Sequence, residues 1–264
     1  MRKMVRRTGT LAICVLAMLA ISVVAASGAW ATAPEYGRCV KVAKGTKGKF
    51  ATAKCTTAAT AEKFGFEWDP GAVKTKFTTS GGAGLLETTA GSAVTCEAES
   101  SNGELVAGGD NKEERGTIVK FTGCKALGLA CTTAGAASGE LITNELEGLV
   151  GWENKALKKT DLELFPAKSV TSGLFIEFEC SGLVIKVRGK VLVPIKNDAM
   201  KSTETLTFIA KKGKQKPEKW EESSEKAVLE SSFSNFHEAE FVQAGQTIKT
   251  TIVGEEKLEL NAVV

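Results

Sequence analysis

The sequence predicts an all-β protein: an antiparallel sandwich or barrel-like sheet, tied by disulfides, with little helix outside an N-terminal export signal. Three observations carry that expectation. Residues 174–195, LFIEFECSGLVIKVRGKVLVPI, alternate apolar and polar side chains around glycine-containing turns. Short runs rich in Thr, Val and Gly recur along most of the chain, separated by turn residues. Six cysteines remain once the signal is set aside, an even number suited to an oxidising compartment.

Residues 1–31 read as a secretory signal peptide. Arg2, Lys3, Arg6 and Arg7 form a basic start, Leu11–Ala26 is apolar and uncharged, and Ala29-Trp30-Ala31 fits the cleavage pattern. Ala31-Thr32-Ala33 fits too, but cleavage there would leave Pro34 first. An uncleaved anchor is the alternative, since about 17 apolar residues is at the short end of a span. The residues after Arg6-Arg7 suit a twin-arginine signal poorly. Cys14 follows Ile13, which is too large for a lipid-attachment site. Of 34 basic residues four lie in the signal, and the remaining 30 face 31 acidic ones. The chain's net charge of +3 therefore belongs to the signal. No basic stripe is left for nucleic acid. The densest basic run, Lys211–Lys216, leads into Glu218, Glu221 and Glu222 and reads as a solvated loop.

Residues 32–70 read as a small N-terminal unit and residues 71–264 as the main all-β domain. In the first, Cys39–Val42 and Lys49–Ala53 flank Gly45–Gly48 as a hairpin closed by Cys39–Cys55. Thr56–Lys63 suggests a short helix. Phe64–Trp68 suggests a strand ended by Asp69-Pro70-Gly71. Beyond it the expected strands are 73–79, 85–89, 93–99, 104–107, 117–122, 140–143, 146–152 and 162–165, then the 174–195 meander. Further strands are expected at 203–209, 228–233, 238–242, 247–253 and 258–263. Residues 153–160 and 217–227 are candidate short helices.

The meander has a definite register. A turn at Ser181-Gly182 pairs Cys180 with Leu183, Phe178 with Ile185 and Ile176 with Val187 on one apolar face. The other face pairs Glu177 with Lys186, Glu179 with Val184 and Phe175 with Arg188. A second turn at Gly189-Lys190 would pair Val187 with Leu192 and Ile185 with Pro194, with Pro194 marking an edge. Valines on both faces imply that something covers the second face.

Six cysteines, Cys39, Cys55, Cys96, Cys124, Cys131 and Cys180, allow 15 connectivities. The expected set is Cys39–Cys55, Cys124–Cys131 and Cys96–Cys180, the first two joining neighbours across turns. The rival set keeps Cys39–Cys55 and pairs Cys96–Cys124 and Cys131–Cys180. Zinc is disfavoured, since there is no C-x-x-C and a single histidine.

Pro34–Cys39, Cys55, Phe66-Glu67-Trp68, Pro70-Gly71, Phe121–Cys124, Phe178-Glu179-Cys180 and Gly254–Leu258 together resemble a group of exported, uncharacterised proteins of soil actinobacteria. The resemblance covers most of the mature chain. It implies export and a cysteine-bearing β fold, and transfers no catalytic residue.

Signatures of chemistry are sparse. G-x-S-x-G and Walker A are absent, and Gly82-Ala83-Gly84 runs into Glu87 where a dinucleotide fingerprint needs its third glycine. His237 alternates with Ala239 and Phe241, as a strand histidine does. Glu97 with Glu99, and Glu177 with Glu179, fall two apart on strands and are candidate carboxylate pairs; their simpler reading is a solvated face. Asp110–Glu114 reads as an acidic turn or a cation loop without the spacing of an EF-hand. Trp68 and Trp152 are expected in the core, and Trp220 in an exposed loop where a sugar ring would stack.

The sequence thus assigns no catalytic residues, no cofactor and no metal. It points to a secreted or envelope-associated, non-enzymatic β-protein that binds or serves structurally. Its partner would be an envelope or extracellular one, without nucleic acid and without membrane insertion after signal cleavage. A carboxylate-dependent hydrolase and a barrel carrying a small apolar ligand are the alternatives.

Overall fold

Among the described residues of the computed structural model the regular structure is nineteen β-strands, and no helix occurs. The described residues are 34–59, 65–69, 74–106, 113–196, 200–221, 225–234 and 240–261. Residues 1–31, expected to be an export signal, lie outside them. The first strands are β1 (Glu35–Lys41), β2 (Phe66–Asp69), β3 (Lys74–Gly81), β4 (Gly84–Thr88), β5 (Ala93–Cys96) and β6 (Ala98–Val106). Next come β7 (Glu113–Thr122), β8 (Lys125–Ala126), β9 (Leu129–Thr132), β10 (Leu141–Ile142), β11 (Leu146–Asn154), β12 (Lys159–Pro166) and β13 (Leu174–Cys180). The last are β14 (Leu183–Gly189), β15 (Val191–Ile195), β16 (Lys201–Lys211), β17 (Lys214–Lys216), β18 (Leu229–Ser234) and β19 (Val242–Asn261).

The β13–β14 hairpin has the register that its sequence dictates. Cys180 opposes Leu183, Phe178 opposes Ile185 and Ile176 opposes Val187. On the other face Glu177 opposes Lys186, with Lys186 Nζ 3.5 Å from Glu177 Oε2. Ser181 and Gly182 both have positive φ, 52° and 83°, the backbone that a two-residue turn between right-twisted strands requires. A bulge at Phe175 shifts the far end, so Arg188 opposes Leu174 rather than the expected Phe175.

Eight antiparallel strands close a barrel. β4 pairs with β5, β5 with β8, β8 with β9, and β9 with β13. β13 pairs with β14, β14 with β18, β18 with the start of β19, and β19 returns to β4. A second run of strands continues from it in the order β16–β19–β3–β6–β7–β11–β12–β15. The two are joined by chain that passes through both. β3 leads into β4 across Gly82-Ala83, β5 into β6 across Glu97, and β19 runs 20 residues from one into the other. Their inward faces merge into one core. Val94, Phe178, Ile185 and Val187 of the barrel pack in the same cluster as Leu146, Leu162, Val193 and Leu206 of the second sheet.

Besides the two-pair β8–β9 hairpin, whose strands are joined by their own turn, two joints of the barrel have very short ladders. β5 and β8 share a single residue pair, Thr95 with Lys125, and β9 and β13 share two. Each joint is crossed by a disulfide: Cys96–Cys124 beside the first, Cys131–Cys180 within the second. Closed barrels leave no strand edge to pair with another chain, and here covalent bonds complete closure where backbone hydrogen bonds are few.

This corrects the disulfide expectation in part. Cys39–Cys55 forms as expected, but Cys96–Cys180 and Cys124–Cys131 do not. Spacing favoured Cys124 with Cys131 as neighbours across a turn. Strand pairing instead sets Cys131 directly opposite Cys180 and leaves Cys124 beside β5.

Other expectations also change. Gly189-Lys190 is a corner, not a hairpin turn: β14 pairs with β18 while β15 pairs with β12. Gly189 has φ +105°, and a Cβ there would lie 2.1 Å from the Val228 carbonyl oxygen, which accepts the Lys190 N–H. Only glycine allows the chain to pass so close. Pro194 does lie on a strand, β15, whose one ladder among the described residues is with β12. Residues 153–160 are the tip of the β11–β12 hairpin, with the turn at 155–158, and the described part of 217–227 is irregular, not helix. In the N-terminal segment, β1 pairs with β2 and with the end of β19, and Lys49–Ala53 is no strand.

Non-reducing peptide mapping is expected to yield a Cys131–Cys180 link and a Cys96–Cys124 link, and no Cys96–Cys180 peptide. The Cys131–Cys180 bond closes a 49-residue separation against 16 for Cys39–Cys55. Its removal by paired Ala substitutions should cost about 4 kcal/mol in denaturant unfolding, against about 3 kcal/mol for the other, by chain entropy.

Candidate functional site

The interior holds a cavity of about 150 Å³ between the barrel wall and the second sheet. Its walls are chiefly aliphatic and aromatic: Phe77, Leu86, Val94, Phe121, Phe178 and Ile248 are among them. An apolar space of roughly this size takes a benzene-sized molecule.

One charged side chain lines it. Glu99 of β6 is 8% exposed. Its Oε1 accepts a hydrogen bond from Thr79 Oγ1 and its Oε2 one from Thr250 Oγ1, each at 2.5 Å. Thr79 also shares a 2.7 Å hydrogen bond with Ser101. Gly81 makes room for the carboxylate, because a Cβ there would come within 2.8 Å of Oε2. Thr117, on the same lining, has a buried hydroxyl with no hydrogen-bond partner.

Plain alternation does not place Glu99 inside. Counting from Val94 and Cys96, which line the cavity, Glu99 would face out along with Glu97. Glu97 stands outside the ladder between β5 and β6, and this one irregular residue switches the parity. Glu99 and Ser101 turn inward, while Glu97 stays exposed with its carboxylate 3.9 Å from Lys125 Nζ. The expected Glu97–Glu99 pair on one face is therefore divided.

The other candidates disperse. Glu177 pairs with Lys186, and exposed Glu179 accepts the Gly182 N–H at 2.9 Å. Lys211–Lys216 forms the β16–β17 hairpin, inside which Gln215 is buried, donating to the Ile209 carbonyl and accepting the Gln246 N–H. Trp152 is buried, as expected. Trp68 is half-buried and donates from Nε1 to Glu35 at 2.6 Å. Trp220 is not the exposed platform that its charged surroundings suggested. It packs against Leu192 and Ala227 on the side of the second sheet away from the main core. His237 and Asp110–Lys112 lie outside the described residues. Among the described residues no group of three or more His, Cys, Asp or Glu side chains is arranged to hold a metal ion.

A buried acidic pair that spacing did not reveal sits near Trp220. Asp161 and Glu163 alternate with the core residue Leu162 on β12 and face the other way, opposite Pro194 and Leu192 of β15. Asp161 is fully buried, with both carboxylate oxygens unpartnered. Burial, aided by the like charge of Glu153 and opposed by Lys159, pushes its carboxyl up to about 7. Burial also raises Glu163, against the pull of Lys190 at 3.4 Å and with a small push from Glu225. Neither acid lines the interior cavity.

No protein-family model, curated protein or solved structure matches the chain.

The two raised acids make stability depend on pH. The folded protein holds the Asp161 proton to higher pH than the unfolded chain does. The stabilisation is complete below the unfolded value near 3.8 and is lost as pH rises towards about 7. The full loss is of the order of 4 kcal/mol. Thermal unfolding between about pH 4 and about pH 8 should therefore show a falling midpoint. Asp161→Asn should flatten that fall, and an unchanged slope would assign the titration to other groups.

Proposed function

We propose that this chain is an exported, non-enzymatic binding protein whose cavity between the barrel wall and the second sheet holds a small molecule with a mainly hydrocarbon body. The cavity carries the proposal. Its walls converge from both sheets and are mostly aliphatic or aromatic, with a few polar groups, of which Thr79, Ser101 and Thr250 form a hydrogen-bonded cluster with Glu99. That is the usual make-up of a small-molecule site. The volume is below the roughly 300–1,000 Å³ of pockets for drug-sized ligands, so the ligand is compact.

Export is supported by the residue pattern at positions 1–31 and by three disulfides, which suit an oxidising compartment. No helix among the described residues is long and apolar enough to cross a membrane.

A second reading, contact with a macromolecular partner at the surface, is favoured by the β8–β9 hairpin. At its tip Leu127 is 95% exposed and Leu129 51% exposed, on a turn fixed at both ends by disulfides. Leu127→Asp would weaken such a contact and leave the interior untouched.

Benzene or xenon, added to the oxidised protein, should shift the NMR signals of Val119, Leu164 and Ile248, which line the cavity, and raise the unfolding temperature. Val119→Phe should abolish both responses by filling the space. Absence of any response in the wild type would remove the cavity reading.

A further inference from the structure

The buried carboxylate has no cation to meet it. Glu99 forms no ion pair among the described residues, and its two hydrogen-bond donors are the neutral hydroxyls of Thr79 and Thr250. A carboxylate offers about four lone-pair directions, so roughly half its accepting capacity is unused. Burying such a group in an apolar space is costly unless an opposite charge or further donors come with it. The same cavity holds a second unused group, the Thr117 hydroxyl.

The fold keeps Glu99 where it is by specific means. The irregular residue at Glu97 turns it inward, Gly81 clears space beside it, and threonines on the adjacent strand β3 and on β19, the strand beyond it, grip one oxygen each. A position facing the core that served packing alone would be met with an apolar side chain, as at Phe121 directly opposite on β7. The carboxylate is thus an arranged group, and the one charged side chain, in a mostly apolar chamber.

From this we infer that the ligand is a small organic amine: a compact hydrocarbon or aromatic body bearing one protonated amino group, with the ammonium seated against Glu99 and the body against the apolar walls. The inference rests on the cavity reading and adds the chemical class. An ammonium brings three donors and no acceptor. It matches a carboxylate with free lone pairs, and Thr117 is a further acceptor in the same space. A carboxylic acid or phosphate would bring like charge to Glu99. A neutral hydrocarbon would fit the walls and leave Glu99 unmet.

Three probes of nearly equal shape separate these cases: toluene, benzyl alcohol and benzylamine. Binding to the oxidised wild-type protein is measured by NMR titration and calorimetry at neutral pH. Benzylamine should bind at least about tenfold more tightly than either neutral probe, as expected of a charge-assisted hydrogen bond in a mostly apolar site. Its methylene should show nuclear Overhauser contacts to the methyls of Thr79 and Thr250. Glu99→Gln should erase the preference and retain toluene binding. If toluene binds and benzylamine binds no more tightly, the amine inference fails while the cavity reading stands. If none of the three binds, both fail. The wild-type comparison and the methyl contacts decide the matter even if Glu99→Gln does not fold. A preference that survives in a folded Glu99→Gln protein would also overturn the role given to Glu99.

Discussion

Closure of the barrel at two thin joints whose strands no hairpin turn connects is the constraint on which the rest depends. A ladder of one or two residue pairs adds little cohesion, yet β5–β8 and β9–β13 must hold for the barrel to be a barrel. The disulfides beside and within these joints restrict the unfolded chain and keep short strands in place. With the joints fixed, β4, β13, β14, β18 and β19 can supply long ladders and a continuous apolar interior. Open joints would expose strand edges and let water reach the chamber around Glu99.

The second sheet gives the barrel its floor. Because β3–β4, β5–β6 and β19 traverse both, the two share strands instead of packing as separate layers. This geometry produces the chamber. Strands that pass from one sheet into the other splay their inward side chains near the bend, and small residues such as Gly81 and Gly84 stand there. Polar groups of the wall gather in the same region. The outer face is treated differently, with Asp161 and Glu163 shut beneath a cover that includes Trp220.

Local rules in the sequence were sufficient where one hairpin settles its own pairing. In residues 176–187 the apolar face, the Glu177–Lys186 pair and the Ser181-Gly182 turn all demand one register, and that register forms. They were insufficient wherever a neighbour distant in the chain decides. Gly189-Lys190 resembles a tight turn, but its glycine serves a crossing past Val228. Cys124 and Cys131 are close in sequence, yet each bonds to a strand far from it. Trp220 lies in a charged segment, and its burial depends on Leu192. Glu99 was legible as a strand glutamate but not as an inward one, because a single residue outside the ladder reverses the alternation. Glu-Ala-Glu after Cys96 carries no mark of that reversal.

The path of β19 bears on when this protein can become itself. Its 20 residues pair in turn with β18, β4, β16, β3 and β1, all of which precede it in the chain. During synthesis every one of those partners emerges first and waits. Neither sheet can be completed before β19 follows, and the pairings with β1, β3 and β4 bridge more than half the chain. Such remote contacts make for slow folding. A nascent chain whose sheets stay open until this long strand appears carries unpaired strand edges and apolar faces through most of its synthesis.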